Sequence, residues 1–531
     1  MLFAQWIRSN ELSQNKRMAE VSNNKTIAKN TILLYIRMLF AMAVSLYTSR
    51  VILDVLGVDD YGLYQAVGGV VAMLSFLNGA LSHGTSRFLT FELGTGNYEK
   101  LKRTFSSVMT VHILMAILVA VVAETAGLWF VKNNLVIPTD RMDAAIIAYH
   151  FSILTAAIHI IQVPYNSSII AHERMNVYAY VSILDVVLKL GICYLLNIGG
   201  IDKLIFYAGL LCTVQACIAM AYRLYCKRNF SEASYKPIWD WSILREVLGY
   251  SGWNLFANTA LALVTQGASI LLNMFFTSAT VTAMSISNQV NAAAQQFVNS
   301  FRTAANPQIV KKYAVGDLEG SQRLLLISTK FSFYLMLLLA MPIFLVSEEL
   351  LAIWLKEVPE FTNIFVRLTI VTCLFQVFDT SFYTALYAKG RIRENAMISP
   401  TILFLLFPIV YLLYKNGAPP TSLSWGLLAA YAILGLVVKP MLIIKIAGYR
   451  WKDILKVFWD CLKVAAIAAI VPLALAYFAN EQFDSIFAKF IVLVIVSVAS
   501  VGFTVWFIGL TPSLRSKALS FLCSKITHSS K

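Results

Sequence analysis

The chain has 531 residues, 58% of them apolar and only 13% charged, against roughly 25% charged in a soluble globular protein. A soluble fold of this length cannot hide so much apolar surface, so the composition excludes a soluble enzyme and calls for a bilayer as solvent. The formal net charge of +15 taken alone could point to nucleic acid, but its distribution along the chain assigns it to a membrane surface.

A helix that crosses a bilayer needs about 20 mostly apolar residues. Residues 1–30 read as a polar tail. Its first apolar patch, Leu2 to Ile7, is too short for the apolar region of a secretory signal, and Met18 offers a second plausible start. Apolar stretches then recur near 31–54, 61–86, 105–131, 143–168, 176–198, 204–225, 247–276, 282–306, 324–354, 363–387, 397–415, 424–446, 459–479 and 488–510. The expected fold is all-α and polytopic, with about fourteen transmembrane helices, here called spans one to fourteen. The expected organisation is a tail (1–30), a first six-helix bundle (31–228), a linker (229–246), a second six-helix bundle (247–450), two further helices (451–510) and a second tail (511–531).

With the N-terminus placed inside and residues near span ends counted with the nearer face, 32 of the 43 Lys and Arg residues fall on the inner side, 8 on the outer side and 3 (Arg37, Lys189 and Arg302) within spans. Lys/Arg asymmetry sets orientation, so both termini are expected in the cytoplasm, with the basic face against anionic lipid. No nucleic acid needs to be invoked. The seven cysteines are scattered with no CxxC pair, and the histidines lack ligand spacing, so neither a disulfide framework nor a metal site is expected. His150 and His159 share one apolar span and read as packing or polar-lining residues.

The chain repeats itself. After span two it reads FELGTGNYEKLKRTFSS, and after span eight KKYAVGDLEGSQRLLLIS. Gly96, Asn97 and Glu99 fall on Gly316, Asp317 and Glu319, 220 residues apart. After span four comes AHERMNVYAYVS and after span ten AKGRIRENAMIS, with Ala171 and Arg174 on Ala388 and Arg391, 217 apart. Two landmarks in matching loops indicate a duplicated six-helix unit. An even number of spans per unit makes it a parallel repeat about an axis along the membrane normal.

Two six-helix halves, two extra helices and an inner G-[ND]-x-E loop after spans two and eight resemble the multidrug/oligosaccharidyl-lipid/polysaccharide (MOP) flippase superfamily. Within it, the chain looks most like the Wzx-type polysaccharide (O-antigen) flippases. The resemblance implies a MATE-like V of two bundles in a bacterial inner membrane, working by alternating access. The implied cargo is an undecaprenyl-pyrophosphate-linked oligosaccharide carried from inner to outer leaflet. Implied partners are that cargo, membrane lipids and a polysaccharide polymerase. No cofactor and no catalytic residue are expected, and an H+ or Na+ gradient is the candidate drive.

Polar stripes inside the membrane mark the candidate site, because polar groups in hydrocarbon turn toward partner helices or water. Span eight carries Asn288, Asn291, Gln295, Asn299 and Arg302 in steps of three and four, hence on one face. Gln289 and Gln296 flank it. Span seven places Asn254, Asn258, Thr265 and Ser269 together, span two Ser75, Asn78, Ser82 and Thr85, and span one Arg37, Ser45 and Thr48. Amides offer donors and acceptors to sugar hydroxyls, and arginine grips phosphate at two points, so Arg37 and Arg302 are the candidate anion contacts. The bland alternative is polar glue between helices. Asp185 and Lys189, one turn apart in span five, can form an intrahelical pair or a coupling site. Asp379 in span ten and Glu124 in span three are further coupling candidates, placed toward span ends. Lys439 and Lys463 read as inner-end residues that snorkel. The expected cleft lies between spans one, two, seven and eight.

Two other readings compete. A cation-coupled multidrug (MATE-type) exporter commonly keeps an acid within its first helix, where this chain has Arg37. An integral membrane enzyme of the same pathway, a polymerase or ligase, needs acid/base or metal-binding residues in a sizeable outer loop. The outer loops here are short.

Overall fold

The computed structural model describes residues 42–74, 82, 85–86, 88–93, 96–172, 174–196, 200, 202–238, 240–241, 262–314, 316–482, 485–512 and 515–516. All regular structure among them is helical. Nine described helices are long and apolar enough to cross a membrane: Tyr98–Asn134, Thr139–Ala171, Lys203–Asn229, Leu318–Leu345, Thr362–Ala388, Met397–Lys415, Ser422–Ala447, Trp451–Phe478 and Ile486–Gly509. These are spans three, four, six and nine to fourteen. Span one is described over 42–56 and span seven over 262–275. Span two is described chiefly as Val58–Met73, span five as Met175–Leu195 and span eight as Ser278–Ala314.

The two loop pairs that betrayed the repeat fold alike. Gly96 and Gly316 both adopt positive φ, 72° and 84°, a conformation that costs little only for glycine. The next residue caps the following helix in each case. Asn97 Oδ1 accepts from the Lys100 N–H and Asp317 Oδ1 from the Gly320 N–H, satisfying a donor that the first helical turn leaves open. Lys312 and the Gly320 N–H hold the Asp317 carboxyl below the usual carboxylate range. The backbone bonds Gly96 N–H to Leu93 O and Gly316 N–H to Tyr313 O keep the 220-residue offset. At the other landmark, Arg174 N–H to Ile169 O and Arg391 N–H to Leu386 O keep the 217-residue offset. Side chains follow the same register: Ser86 donates to Ser167 (3.0 Å) and Thr384 to Asn306 (3.2 Å).

Spans thirteen and fourteen pack against Leu318–Leu345. Lys330 pairs with Asp460 at 3.0 Å, and Lys489 pairs with the buried Glu349. At the end of the first half that the Lys/Arg distribution assigns to the outside, called the outer end, Arg141 binds Asp60 and Asp202 together, its Nε 2.9 Å from Asp60 Oδ1. Asp202 also caps Lys203–Asn229 through the Leu204 and Ile205 N–H groups. One guanidinium thus fastens three loops through charge-assisted bonds.

The halves meet at their outer ends. Thr282 donates to Val58 O (2.7 Å), Arg50 to Ile353 O (3.1 Å) and Trp354 to Leu46 O (2.9 Å), while Lys356 pairs with Asp54 at 2.5 Å. Gly62 makes this closeness possible: a Cβ there would lie 2.0 Å from the Ser278 carbonyl oxygen.

Candidate functional site

Span eight is a 37-residue helix, Ser278–Ala314. Its side chains at 288, 291, 295, 299 and 302 line one wall of a cavity of about 970 Å³. Span ten, Thr362–Ala388, supplies a second wall with Thr369, Thr372, Gln376, Asp379 and Tyr383. Both stripes follow the 3.6-residue period that puts every third or fourth residue on one face. Asn395 and Ser399 of span eleven, with Tyr431 and Lys439 of span twelve, close the far side. Thr265 and Gln266 of span seven and Tyr61 and Gln65 of span two complete it. Among the described residues the lining comes from spans two, seven and eight, which the stripes pointed to, and from spans ten, eleven and twelve, which they did not. The stripe on span ten was missed because its Thr and Gln residues are spaced among Phe, Val and Leu and carry little polarity apiece.

The lining is chiefly amide and hydroxyl, with charge at one end. Gln295 donates to Gln376 Oε1 (2.6 Å) across spans eight and ten. Gln289 donates to the Tyr61 hydroxyl (3.0 Å) and accepts from Ser49 Oγ (2.5 Å), roofing the outer end with first-half residues. Toward the inner end, Arg302 is 8% exposed; it donates to Asn299 Oδ1 (3.3 Å) and to the Thr380 carbonyl. Lys439 Nζ lies 2.9 Å from Asp379 Oδ1, an ion contact rather than an aligned hydrogen bond, and it donates to Asn395 Oδ1. The Tyr383 ring covers the same ammonium at 5.6 Å. Two cations thus face one carboxylate among the charged residues on the described wall, which makes the inner end net basic.

One sequence expectation changes here. Lys439 does not snorkel: its side chain is only 2% exposed and is held by Asp379. It directly follows a π-helical turn, Leu434–Val438, and such a turn shifts the register of the face that follows. Of the coupling candidates, Asp379 lines the cavity, with its side chain 16% exposed. The remaining coupling candidates lie elsewhere. Asp185 and Lys189 form the intrahelical pair at 2.8 Å. Glu124 sits on the π-turn Ala123–Gly127 and contacts His150 at 2.9 Å, both half-exposed. His159 is within electrostatic reach of Lys189 and Asp185. Arg37, Asn78, Asn254 and Asn258 lie outside the described residues.

The repeat offsets set the described lining residues of the second half against different residues of the first. At 220 residues, Gly68 and Gly69 stand opposite Asn288 and Gln289, and Ser82 stands opposite Arg302. At 217 residues, Ser152, Thr155, His159 and Gln162 stand opposite Thr369, Thr372, Gln376 and Asp379. In the first half Gln215 donates to Gln162 at 2.8 Å, a neutral pair where the second half has Asp379 and Lys439. A Cβ at Gly68 would make an ordinary contact with Ser152 Oγ, at 3.7 Å, and one at Gly69 would make an ordinary contact with Gln266 Oε1, at 3.6 Å.

No protein-family model and no curated protein matches the sequence. Solved structures do match. A MATE-family multidrug resistance transporter of the MOP superfamily, in its inward-facing conformation, aligns with a TM-score of 0.62 at 12% identity, covering 78% of this chain and 98% of that one. A MOP-superfamily transporter from Pyrococcus furiosus, described as having a binding pocket of reversed polarity, aligns with a TM-score of 0.56 at 16% identity over 79% of this chain and 95% of that one. The lipid II flippase MurJ, in an inward closed conformation, aligns with a TM-score of 0.62 at 12% identity over 89% of this chain and 98% of that one. The protein is a multi-pass membrane protein with the fold of the MOP-superfamily transporters.

Proposed function

We propose that the protein is a Wzx-type flippase that carries an undecaprenyl-pyrophosphate-linked oligosaccharide from the inner to the outer leaflet, without chemistry on the cargo. The observation that carries this reading is the cavity of about 970 Å³, lined by amides and hydroxyls and ending in Arg302 and Lys439 against Asp379, the one carboxylate among its described lining residues. Amides and hydroxyls match sugar hydroxyls, and a net basic end matches a pyrophosphate. A cation-coupled drug exporter of the same fold needs a carboxylate to hold a cation, and here Lys439 already neutralises Asp379. The lipid II flippase also matches more of the chain than the drug transporter does, 89% against 78%. Closure at the outer ends suits a state that loads from the cytoplasmic side, with an ion gradient or removal of product as drive.

The test is export in a bacterial strain that depends on this protein for its surface polysaccharide. Arg302→Ala is expected to lower surface polysaccharide at least about tenfold at unchanged protein level, in line with the loss of a charge-assisted contact. Arg302→Lys should restore part of it, because lysine lacks the two-point fork. Full export by Arg302→Ala overturns the reading.

A further inference from the structure

The cavity is graded along its length. Its charged residues, Arg302, Asp379 and Lys439, gather toward the inner end, and the outer part is neutral amide and hydroxyl up to the Gln289–Tyr61–Ser49 roof. The span-eight stripe from Asn288 to Arg302 covers four helical turns, roughly 21 Å at 1.5 Å per residue. A pyranose unit in a chain takes up about a quarter of that length. Arg302 lies four residues, roughly 6 Å, from the inner end of the predicted span at 306, so it is the stripe residue nearest the lipid headgroups.

We infer that the cavity holds its cargo in one fixed direction, with the anionic group at Arg302 and Lys439 and a neutral chain of about four sugars laid along the amide ladder toward the roofed outer end. This deepens the flippase reading and rests on it. Three features support the direction. A lipid carrier keeps its phosphate at headgroup depth while its tail stays in the leaflet, and the two cations lie at that end. The outer part of the wall offers both donors and acceptors and none of the described charges, which suits hydroxyls and would leave an anion poorly compensated. The roof is made of hydrogen bonds between the halves, so a chain longer than the ladder must displace the Ser49–Gln289 and Gln289–Tyr61 bonds. The ladder length thus acts as a ruler for the repeat unit.

The experiment measures binding of pyrophosphate-linked saccharides of one to six sugars on a short prenyl tail to the full-length protein in nanodiscs. Affinity is expected to rise about threefold with each sugar up to the fourth and then to level or fall. Asn288→Ala should leave the one- and two-sugar probes unchanged and weaken the four-sugar probe about threefold. Arg302→Lys should weaken every probe by a similar factor, and this conservative change keeps the buried charge if Arg302→Ala does not fold. Affinity independent of chain length, or an Asn288→Ala effect equal on short and long probes, overturns the direction while leaving the flippase reading standing. Failure of the wild type to bind any probe overturns both.

Discussion

Position 162 of the first half and position 379 of the second occupy the same place in the repeat and do different things. Gln162 takes a hydrogen bond from Gln215, and Asp379 takes an ion contact from Lys439; each partner belongs to the sixth helix of its own half. The neighbouring span differs in the same sense, with Gly68 and Gly69 in one half against Asn288 and Gln289 in the other. Duplication preserved caps, turns and helix starts, all of which stabilise either copy, and it left the interior faces to diverge. At these described positions one copy carries glycines and a neutral amide pair, and the other carries amides and an ion pair.

The comparison can be broken most severely at the ion pair. Asp379→Gln alone strands the buried Lys439 ammonium, and removing one partner of a buried pair costs roughly 3–5 kcal/mol. The double change Asp379→Gln with Lys439→Gln copies the Gln162–Gln215 arrangement. It is expected to recover most of that stability and still fail to export. Thermal unfolding in detergent, read beside surface polysaccharide, separates the two effects. A double variant that exports normally would show that the charge difference between the halves is incidental.

A smaller effect is expected at the seam. Gly62→Ala places a methyl where the Ser278 carbonyl oxygen now lies, 2.0 Å from the new Cβ. The neighbour there is backbone and cannot give way, so the halves must part at their outer ends. A cysteine at position 285 on the cavity wall should then be labelled from outside at least several-fold faster. Unchanged labelling would mean that the outer contact is not what keeps the cavity shut. Lys356→Glu, opposite Asp54, should shift labelling in the same direction by much less. That pair is largely exposed, with side-chain accessibilities of 62% and 34%, and such pairs contribute at most about 1 kcal/mol.

The sequence already displayed the helical class, the duplication and the span-eight stripe, because each depends on local spacing. Asn288, Asn291, Gln295, Asn299 and Arg302 declare a face by position alone. The Gly96 and Gly316 turns are equally local, since a positive φ and a capping side chain follow from adjacent residues. Lys439 could not be read this way. Within VVKPMLII it looks like a charge reaching for the nearest surface, and its partner lies 60 residues earlier in the chain. The difference between the two copies at spans two and eight was hidden for a related reason. Gly68 and Gly69 mean little until the repeat offset sets them beside Asn288 and Gln289. The small polar residues of span ten acquire meaning only when span eight is packed against them.

Three of the bonds that join the halves end on main-chain oxygens: Arg50 on Ile353, Trp354 on Leu46 and Thr282 on Val58. A carbonyl is supplied by whatever residue occupies the position. Over evolutionary time, substitutions at 46, 58 and 353 leave these bonds intact as long as the helix path holds, while the donors at 50, 282 and 354 are constrained. Correlated substitution, the usual signature by which contacting residues are found in related sequences, should therefore be weak across this seam even though the contact is intimate. The join would show instead as isolated invariant donors with no partner that varies in step.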